Sequence, residues 1–340
     1  MPEAREREPA AGRSVVRKTA GAPQPAGRFS KGYIGRFAPS PTGDLHLGSL
    51  LAAVGSYLDA RHHGGQWLLR IEDLDTPRVV PGSTDRILRT LEAFGLHWDG
   101  EVTYQSRRTS LYLAALEQLR AGGHTFECSC SRRELGQELG PGEDTGYPGT
   151  CRAGPTRSGV PTATRFRCAD DSVVLFDDRV QGPQHFEQRQ LGDFVVKRKD
   201  GIIAYQLAVV VDDRAQHVSQ VVRGADLLPS TGWQIALQWA LGSPPPTYAH
   251  LPLVVEQSRE KLGKSRHSVP VEPALAATCL TTVLRLLRQA PPAELERDTP
   301  ARLLAWAARN WSVKPFAGVR SVMACDTPRA KKLGRTLNMD

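Results

Sequence analysis

No run of about 18 consecutive apolar residues occurs in the 340-residue chain, which excludes a membrane-spanning helix. The amino-terminal segment, rich in Pro, Ala, Gly and Arg, lacks the apolar core of a secretory signal. A soluble cytoplasmic protein with no membrane partner is the expectation. No internal repeat is detectable. The body of the chain also lacks a charge excess. The formal charge of +8 comes from 44 Lys/Arg against 36 Asp/Glu, but residues 1–31 hold seven Lys/Arg and three Glu, and residues 329–340 hold four Lys/Arg and one Asp. The remainder carries 33 basic and 32 acidic side chains. Any RNA contact by the body must then use a local patch, while the tails add weak, salt-screened attraction.

What is present, 40% hydrophobic and 24% charged residues, suits one large or two medium domains. The most informative stretch runs from Arg36 to Leu50, Arg-Phe-Ala-Pro-Ser-Pro-Thr-Gly-Asp-Leu-His-Leu-Gly-Ser-Leu. An apolar run through Tyr33, Ile34, Phe37 and Ala38 predicts a short buried strand, and Pro39, Pro41, Thr42 and Gly43 force a loop. Leu47, Leu50, Leu51, Val54 and Leu58 then recur at helical spacing, so one helix face is core, ending at the Gly64-Gly65 pair. His46 and Gly48 fall in the first turn, where free backbone N–H groups and the positive dipole end favour an anion.

Downstream, residues 66–75 read as an apolar strand ending in Glu72, Asp73 and Asp75. Glu72 at a strand's carboxyl end suits a substrate ammonium group, and the two Asp residues suit either ligand contacts or loop and helix caps. The segment 81–84 offers an N-cap to a helix through Phe94, and a further amphipathic helix ends at Gly122-Gly123. Alternating strand and helix predicts a parallel sheet. Short β segments at 163–167 and 173–176 fit an inserted lobe, and Lys199-Asp200-Gly201 marks a hairpin between 193–197 and 202–208. Arg223 follows an apolar strand over 218–222; it is either structural or, with Arg36 at another strand end, a carboxylate ligand. Helices are expected over 231–241, 275–287 and 300–311.

Three of the six cysteines, Cys128, Cys130 and Cys151, fall within 24 residues. A C-x-C pair cannot readily bridge itself, but both thiolates can share a soft cation with a third, and zinc is the natural candidate. No histidine stands where a fourth ligand is needed, which leaves Tyr147, four residues before Cys151, as an unusual candidate and unlinked buried thiols as the alternative. Cys168, Cys279 and Cys325 stand apart and suit core packing. Residues 261–265, Lys-Leu-Gly-Lys-Ser, are weak evidence alone and informative beside an upstream H-x-G helix start.

Taken together, residues from about Tyr33 to Ser265 resemble the class I aminoacyl-tRNA synthetase catalytic core of the glutamate group. His46-Leu47-Gly48-Ser49 stands at its first signature, with Ser in place of the last His, and Lys261-Leu262-Gly263-Lys264-Ser265 at its second, with Gly263 in place of Ser. The blocks 36–43, 70–75 and 222–226 also look like this group's. Only 75 residues follow Ser265, too few for the anticodon-binding domain of the longer members. The chain is therefore similar to the short members, whose cysteine and tyrosine pattern matches Cys128, Cys130, Tyr147 and Cys151.

The resemblance implies an α/β fold, a Rossmann-type doubly wound parallel sheet with an inserted zinc lobe and a carboxyl-terminal helical region. Its expected divisions are a disordered tail (1–31), the first half of the nucleotide-binding core (32–124), a zinc and acceptor lobe (125–190), the second half with the Lys264 loop (191–270), a helical stem (271–328) and a basic tail (329–340). It also implies an ATP-dependent ligase that forms glutamyl-adenylate and passes glutamate to queuosine in tRNA(Asp). His46, Gly48, Lys261 and Lys264 would hold ATP, with His46, Gly48 and Lys264 catalytic. Arg36, Phe37, Ala38, Pro39, Ser40, Glu72, Tyr205 and Arg223 would hold L-glutamate. Structural Zn2+ and ATP-bound Mg2+ are the implied cofactors, and a monomer is expected. A truncated enzyme charging tRNA(Glu) and a non-catalytic RNA-binding paralogue are the alternatives.

Overall fold

The computed structural model describes residues 32–131, 133–135, 146–255 and 270–324. Lys261, Gly263, Lys264 and both tails lie outside them. Strands β1 (Ile34–Phe37), β2 (Gln66–Ile71) and β3 (Thr103–Tyr104) form one parallel set. A second set runs β7 (Gly182–Glu187), β6 (Val173–Asp178), β10 (Thr247–Leu251) and β9 (Gln220–Gly224). Ser219, just before β9, joins the sets: its N–H donates to the Ile34 carbonyl at 2.9 Å and its Oγ accepts from the Ile34 N–H at 2.9 Å. The strand order thus reverses between β1 and β9, and a doubly wound sheet binds ligands outside the carboxyl ends of its strands at such a point.

Successive residues of a strand face opposite sides, and the cores follow that rule. Val222, Ala249 and Leu251 join the core around helix α1 (Leu47–His62), whereas Val221 and Tyr248 pack with Ile235 of helix α5 (Leu228–Ala240). The leucine spacing predicts one buried face for α1, but Ala53, Gly55, Ser56, Asp59 and Ala60 are buried too. Helices α6 (Ala276–Leu286) and α7 (Pro300–Asn310) share its core, so α1 lies between the sheet and the carboxyl-terminal helices. An almost fully buried helix cannot remain strongly amphipathic.

Two expectations change. The segment 202–208 makes only a single bridge, Lys197 to Ile203, before helix α4 (Tyr205–Ala215) begins. The Lys199-Asp200-Gly201 turn is local, but Leu207, Ala208, Val209 and Val210 bury themselves in a helical core with α3 (Thr109–Ala121), overriding their strand preference. The inserted lobe is the antiparallel sheet β4 (Thr125–Cys128), β5 (Ala163–Phe166) and β8 (Phe194–Lys197). The hairpin β6–β7, expected inside it, instead extends the parallel sheet, with Asp178 paired to Tyr248 of β10. Helix α2 (Ser83–Ala93) has no side-chain cap because its N-cap residue is Gly82, while the Ser83 hydroxyl donates to the Gly43 carbonyl at 2.6 Å.

One buried carboxylate ties distant parts together. Asp59 of α1 accepts from Arg179 at 2.6 and 2.8 Å, from Trp311 Nε1 at 2.9 Å and from the Tyr33 hydroxyl. Burial alone raises a carboxyl pKa, but the Arg179 hydrogen bonds and charge outweigh it and hold Asp59 below its ordinary value. Asp59→Asn should therefore lower the urea unfolding free energy at pH 7 by roughly 3 kcal/mol, because Arg179 loses its counter-charge. The folded pKa is depressed, so the wild-type advantage should be full above the unfolded value of about 4 and shrink as pH falls through the lower folded value.

Candidate functional site

At the carboxyl ends of β1, β2 and β9 a cavity of about 770 Å³ opens beside the start of α1. Arg36, Phe37, Ala38, Pro39, Ser40, His46, Gly48, Glu72, Tyr205 and Arg223 all line it. The turn after β1 is held by its neighbours: the Pro39 carbonyl accepts from the Glu72 N–H at 3.0 Å and the Pro41 carbonyl from the Val80 N–H at 2.9 Å. Asp73 and Asp75 stand elsewhere. Asp73 accepts from the Ser106 N–H and hydroxyl, and Asp75 pairs with Arg78 and Arg198, so both hold loops.

The start of α1 differs from expectation in one respect. His46 is its N-cap, and Nδ1 accepts from the N–H groups of Gly48 at 3.1 Å and Ser49 at 3.3 Å. Those two donors are therefore spent on the imidazole. With Nδ1 accepting, a neutral His46 carries its proton on Nε2. Ser49 completes a capping box, its Oγ accepting from the His46 N–H at 2.8 Å. The serine at the last signature position thus has a structural task in place of a histidine's phosphate contact.

Three strand-end cations sit in very different company. Arg36 meets Asp213 in a bidentate pair, donating from Nε to Oδ1 at 3.1 Å and from Nη2 to Oδ2 at 3.3 Å. Arg70, fully buried, donates to Asp213 at 2.8 Å, to Gln216 at 2.7 Å and to Glu72 at 3.3 Å. Burial raises the Glu72 pKa, against the pull of Arg70 and Arg36. Arg36 and Arg70 are balanced by Asp213 and Glu72. Arg223, only 5% exposed, is not. Among the described residues its partners are neutral: His250 Nε2 at 3.0 Å, Thr231 Oγ1 at 2.9 Å, the Leu227 carbonyl at 3.3 Å and the Tyr205 hydroxyl at 3.5 Å. A buried cation with no carboxylate hydrogen-bonded to it among the described residues, beside a cavity, suits an anionic ligand.

Lys261 and Lys264 lie outside the described residues. Leu253 and Val254 of β11 (Leu253–Val255) line the cavity, as does Pro270. Pro270 forms an antiparallel bridge to His46, and the Val271 N–H donates to the Leu45 carbonyl at 2.9 Å.

Away from this cavity, the sulfurs of Cys128, Cys130 and Cys151 lie within 4.8 Å of one another, an arrangement able to hold a metal ion. The Tyr147 hydroxyl is 3.4 Å from Cys128 Sγ and 3.6 Å from Cys130 Sγ. Burial pushes the Cys130 thiol up to about 11, whereas Cys151 is drawn down to about 5 as hydrogen bonds, led by that from Tyr147, overcome its burial. A depressed thiol next to two others is what a cation-binding thiolate needs. Cys168 and Cys279 are buried singly, as core residues.

Sequence reasoning missed Asp213, Arg70, His250 and Asp178. A signal existed for Asp213: two acids directly after Val209-Val210-Val211 in a helix-length apolar run must be either exposed or paired, and Asp212 and Asp213 are paired.

Residues 34–276 match the family model of the catalytic domain of class I tRNA synthetases (E and Q). Among curated proteins, the glutamyl-Q tRNA(Asp) synthetase of Aromatoleum aromaticum is 52% identical over 285 residues, spanning 83% of this chain and 89% of the relative. That of Geobacter sulfurreducens is 52% identical over 289 residues, 82% of this chain and 91% of the relative. Among solved structures, a glutamate tRNA ligase from Elizabethkingia meningosepticum in complex with its amino acid superposes with a TM-score of 0.73 at 25% identity, over 90% of this chain and 70% of the ligase.

Proposed function

The chain belongs to the glutamyl-Q tRNA(Asp) synthetases, within the class I synthetases of the E and Q type, and from that premise we propose how its residues carry the reaction. It is a ligase that activates L-glutamate with ATP and transfers the glutamyl group to the queuosine of tRNA(Asp). In the first step a glutamate α-carboxylate oxygen attacks the α-phosphorus of ATP, the bond to the β-phosphate oxygen breaks, and pyrophosphate leaves. No protein nucleophile is needed, so the residues contribute alignment and charge stabilisation. In the second, a hydroxyl of the queuosine cyclopentene ring takes the acyl group and AMP leaves.

The observation that carries the amino-acid half is Arg223, a buried cavity-lining cation whose described partners are all neutral. Glutamate, unlike most amino acids, brings two carboxylates. Arg223 takes one, Arg36 assists with the other despite its pairing to Asp213, and Glu72 receives the ammonium group. Tyr205 and Ser40 add hydroxyls, while Phe37, Ala38 and Pro39 shape the wall. For ATP, His46 and Gly48 form the cavity wall beside the triphosphate, and the Gly48 backbone admits the nucleotide closely. Lys264, helped by Lys261, stabilises the α-phosphate and the departing pyrophosphate. Mg2+ bound with ATP would neutralise phosphate charge. Three thiolates and a phenol suit structural Zn2+, which would clamp the end of β4 to the Tyr147–Cys151 turn. With ATP and tRNA as partners, the enzyme works in the cytoplasm.

Labelled glutamate offered to queuosine-containing tRNA(Asp) and to tRNA(Glu) tests the acceptor. Label on tRNA(Asp), abolished when queuosine is absent, is the expected result; label on tRNA(Glu) alone would establish the truncated charging enzyme instead. Lys264→Ala should cut glutamate-dependent ATP and pyrophosphate exchange at least about 100-fold while glutamate binding stays near wild type, and unchanged exchange removes Lys264 from the phosphate site. Metal analysis should find about one zinc per chain, lost in Cys151→Ser and released faster to a chelator in Tyr147→Phe. Zinc retention unaffected by Tyr147→Phe excludes the phenol as fourth ligand.

A further inference from the structure

Arg223, His250 and Asp178 lie on three adjacent parallel strands. Arg223 of β9 pairs in register with His250 of β10, and Asp178, which ends β6 on the other side of β10, pairs in register with Tyr248, two residues before His250. All three are buried, with His250 fully so. The His250 ring donates Nδ1–H to Asp178 Oδ2 at 2.6 Å, and its Nε2 accepts from Arg223 Nε at 3.0 Å. Asp178 is itself pinned, because its Oδ1 accepts the N–H groups of Val180, Gln181 and His250 at 3.0, 2.8 and 3.1 Å. Neither Asp178 nor His250 lines the cavity.

We propose that Asp178 and His250 are positioning residues for the amino-acid substrate: Asp178 selects the His250 tautomer whose Nε2 lone pair fixes Arg223, leaving Nη1 for the substrate carboxylate. The logic is one of donors and acceptors. A carboxylate only accepts, so Nδ1 must hold the ring proton and Nε2 must present a lone pair. Arg223 Nε–H meets that lone pair, and Nη2 is spent on Thr231 and the Leu227 carbonyl. Among the described residues, Nη1 meets the Tyr205 hydroxyl alone, at 3.5 Å. The outward edge of the guanidinium is thereby set before substrate arrives, which reduces the ordering cost of binding. A neutral imidazole also leaves the positive charge of Arg223 intact, where a carboxylate in the same place would cancel it. Burial of His250 and the nearby Arg223 cation oppose protonation, Asp178 notwithstanding, and its pKa lies below the ordinary value.

Rearranging one hydrogen bond tests this without touching the cavity. In Asp178→Asn the three backbone N–H groups hold the amide oxygen, so the amide N–H faces His250 Nδ1 and drives the proton to Nε2, against Arg223 Nε–H. Calorimetric titration of L-glutamate into the full-length protein should show about tenfold weaker binding with ATP affinity unchanged. His250→Asn, which keeps a donor for Asp178 but is too short to reach Arg223, should weaken glutamate similarly. His250→Gln, whose amide supplies both a donor and an acceptor, should stay within about threefold of wild type. A merely structural role predicts losses that follow the melting temperature and strike ATP and glutamate alike.

The inference rests on Arg223 holding a glutamate carboxylate, and Arg223→Lys tests that separately. If the lysine variant binds glutamate normally, the assignment of Arg223 fails and the inference with it. If that variant is weakened while Asp178→Asn and His250→Asn bind normally, the positioning role alone is overturned. A folded His250→Gln that loses glutamate as severely as His250→Asn overturns it as well.

Discussion

The rest of the site depends on the neutralisation of buried charge. Asp213 receives Arg36 and Arg70 together, and Arg70 in turn meets Glu72. Removing arginines from water costs several kcal/mol each unless carboxylates stand beside them. That requirement explains why residues 205–215 form a helix with consecutive acids. Neighbouring helical positions point about 100° apart, so Asp213 serves β1 and β2 while Asp212 accepts from Gln105, Arg108 and Tyr112 on the other side. A strand at this place would have sent the two acids to opposite faces of a sheet. Against this balanced background Arg223 stands out, because its hydrogen-bond partners among the described residues are all neutral.

Strand register supplies the connections. Because β6, β10 and β9 are neighbours, residues 178, 250 and 223 meet although sequence separates them widely. The hairpin β6–β7 therefore does more than extend a sheet: it delivers the carboxylate that orients His250. The same economy appears at the start of α1. His46 caps the helix through Nδ1, while Ser49 secures the cap from the opposite side. A side chain fixed by its scaffold contacts loses little entropy when it engages a substrate.

Much of this was legible in the residues. The Pro/Gly turn after β1, the leucine spacing of α1, the acid at the end of β2 and the cysteine spacing each report local chemistry, and these residues stand at strand ends, a helix start and a sulfur cluster. The second strand of a hairpin at 202–208 was illegible because valine-rich segments satisfy strand and helix patterns alike, and tertiary burial chose the helix. The destination of 173–187 was equally hidden: alternation predicts a strand but never its neighbour.

Sequence by itself determined the kind of chemistry: an anion site at a helix start, strand-end arginines suited to carboxylates, a thiol cluster, and a family pattern that joins His46 to Lys264. These follow from residue identity and short covalent spacing. Tertiary structure decided which arginine keeps an uncompensated charge, which ring nitrogen of His46 and His250 bears the proton, and which backbone donors are already taken. Those outcomes depend on partners remote in sequence, such as Asp213 for Arg36 and Asp178 for His250, because charge balance and hydrogen-bond direction are properties of atoms in contact.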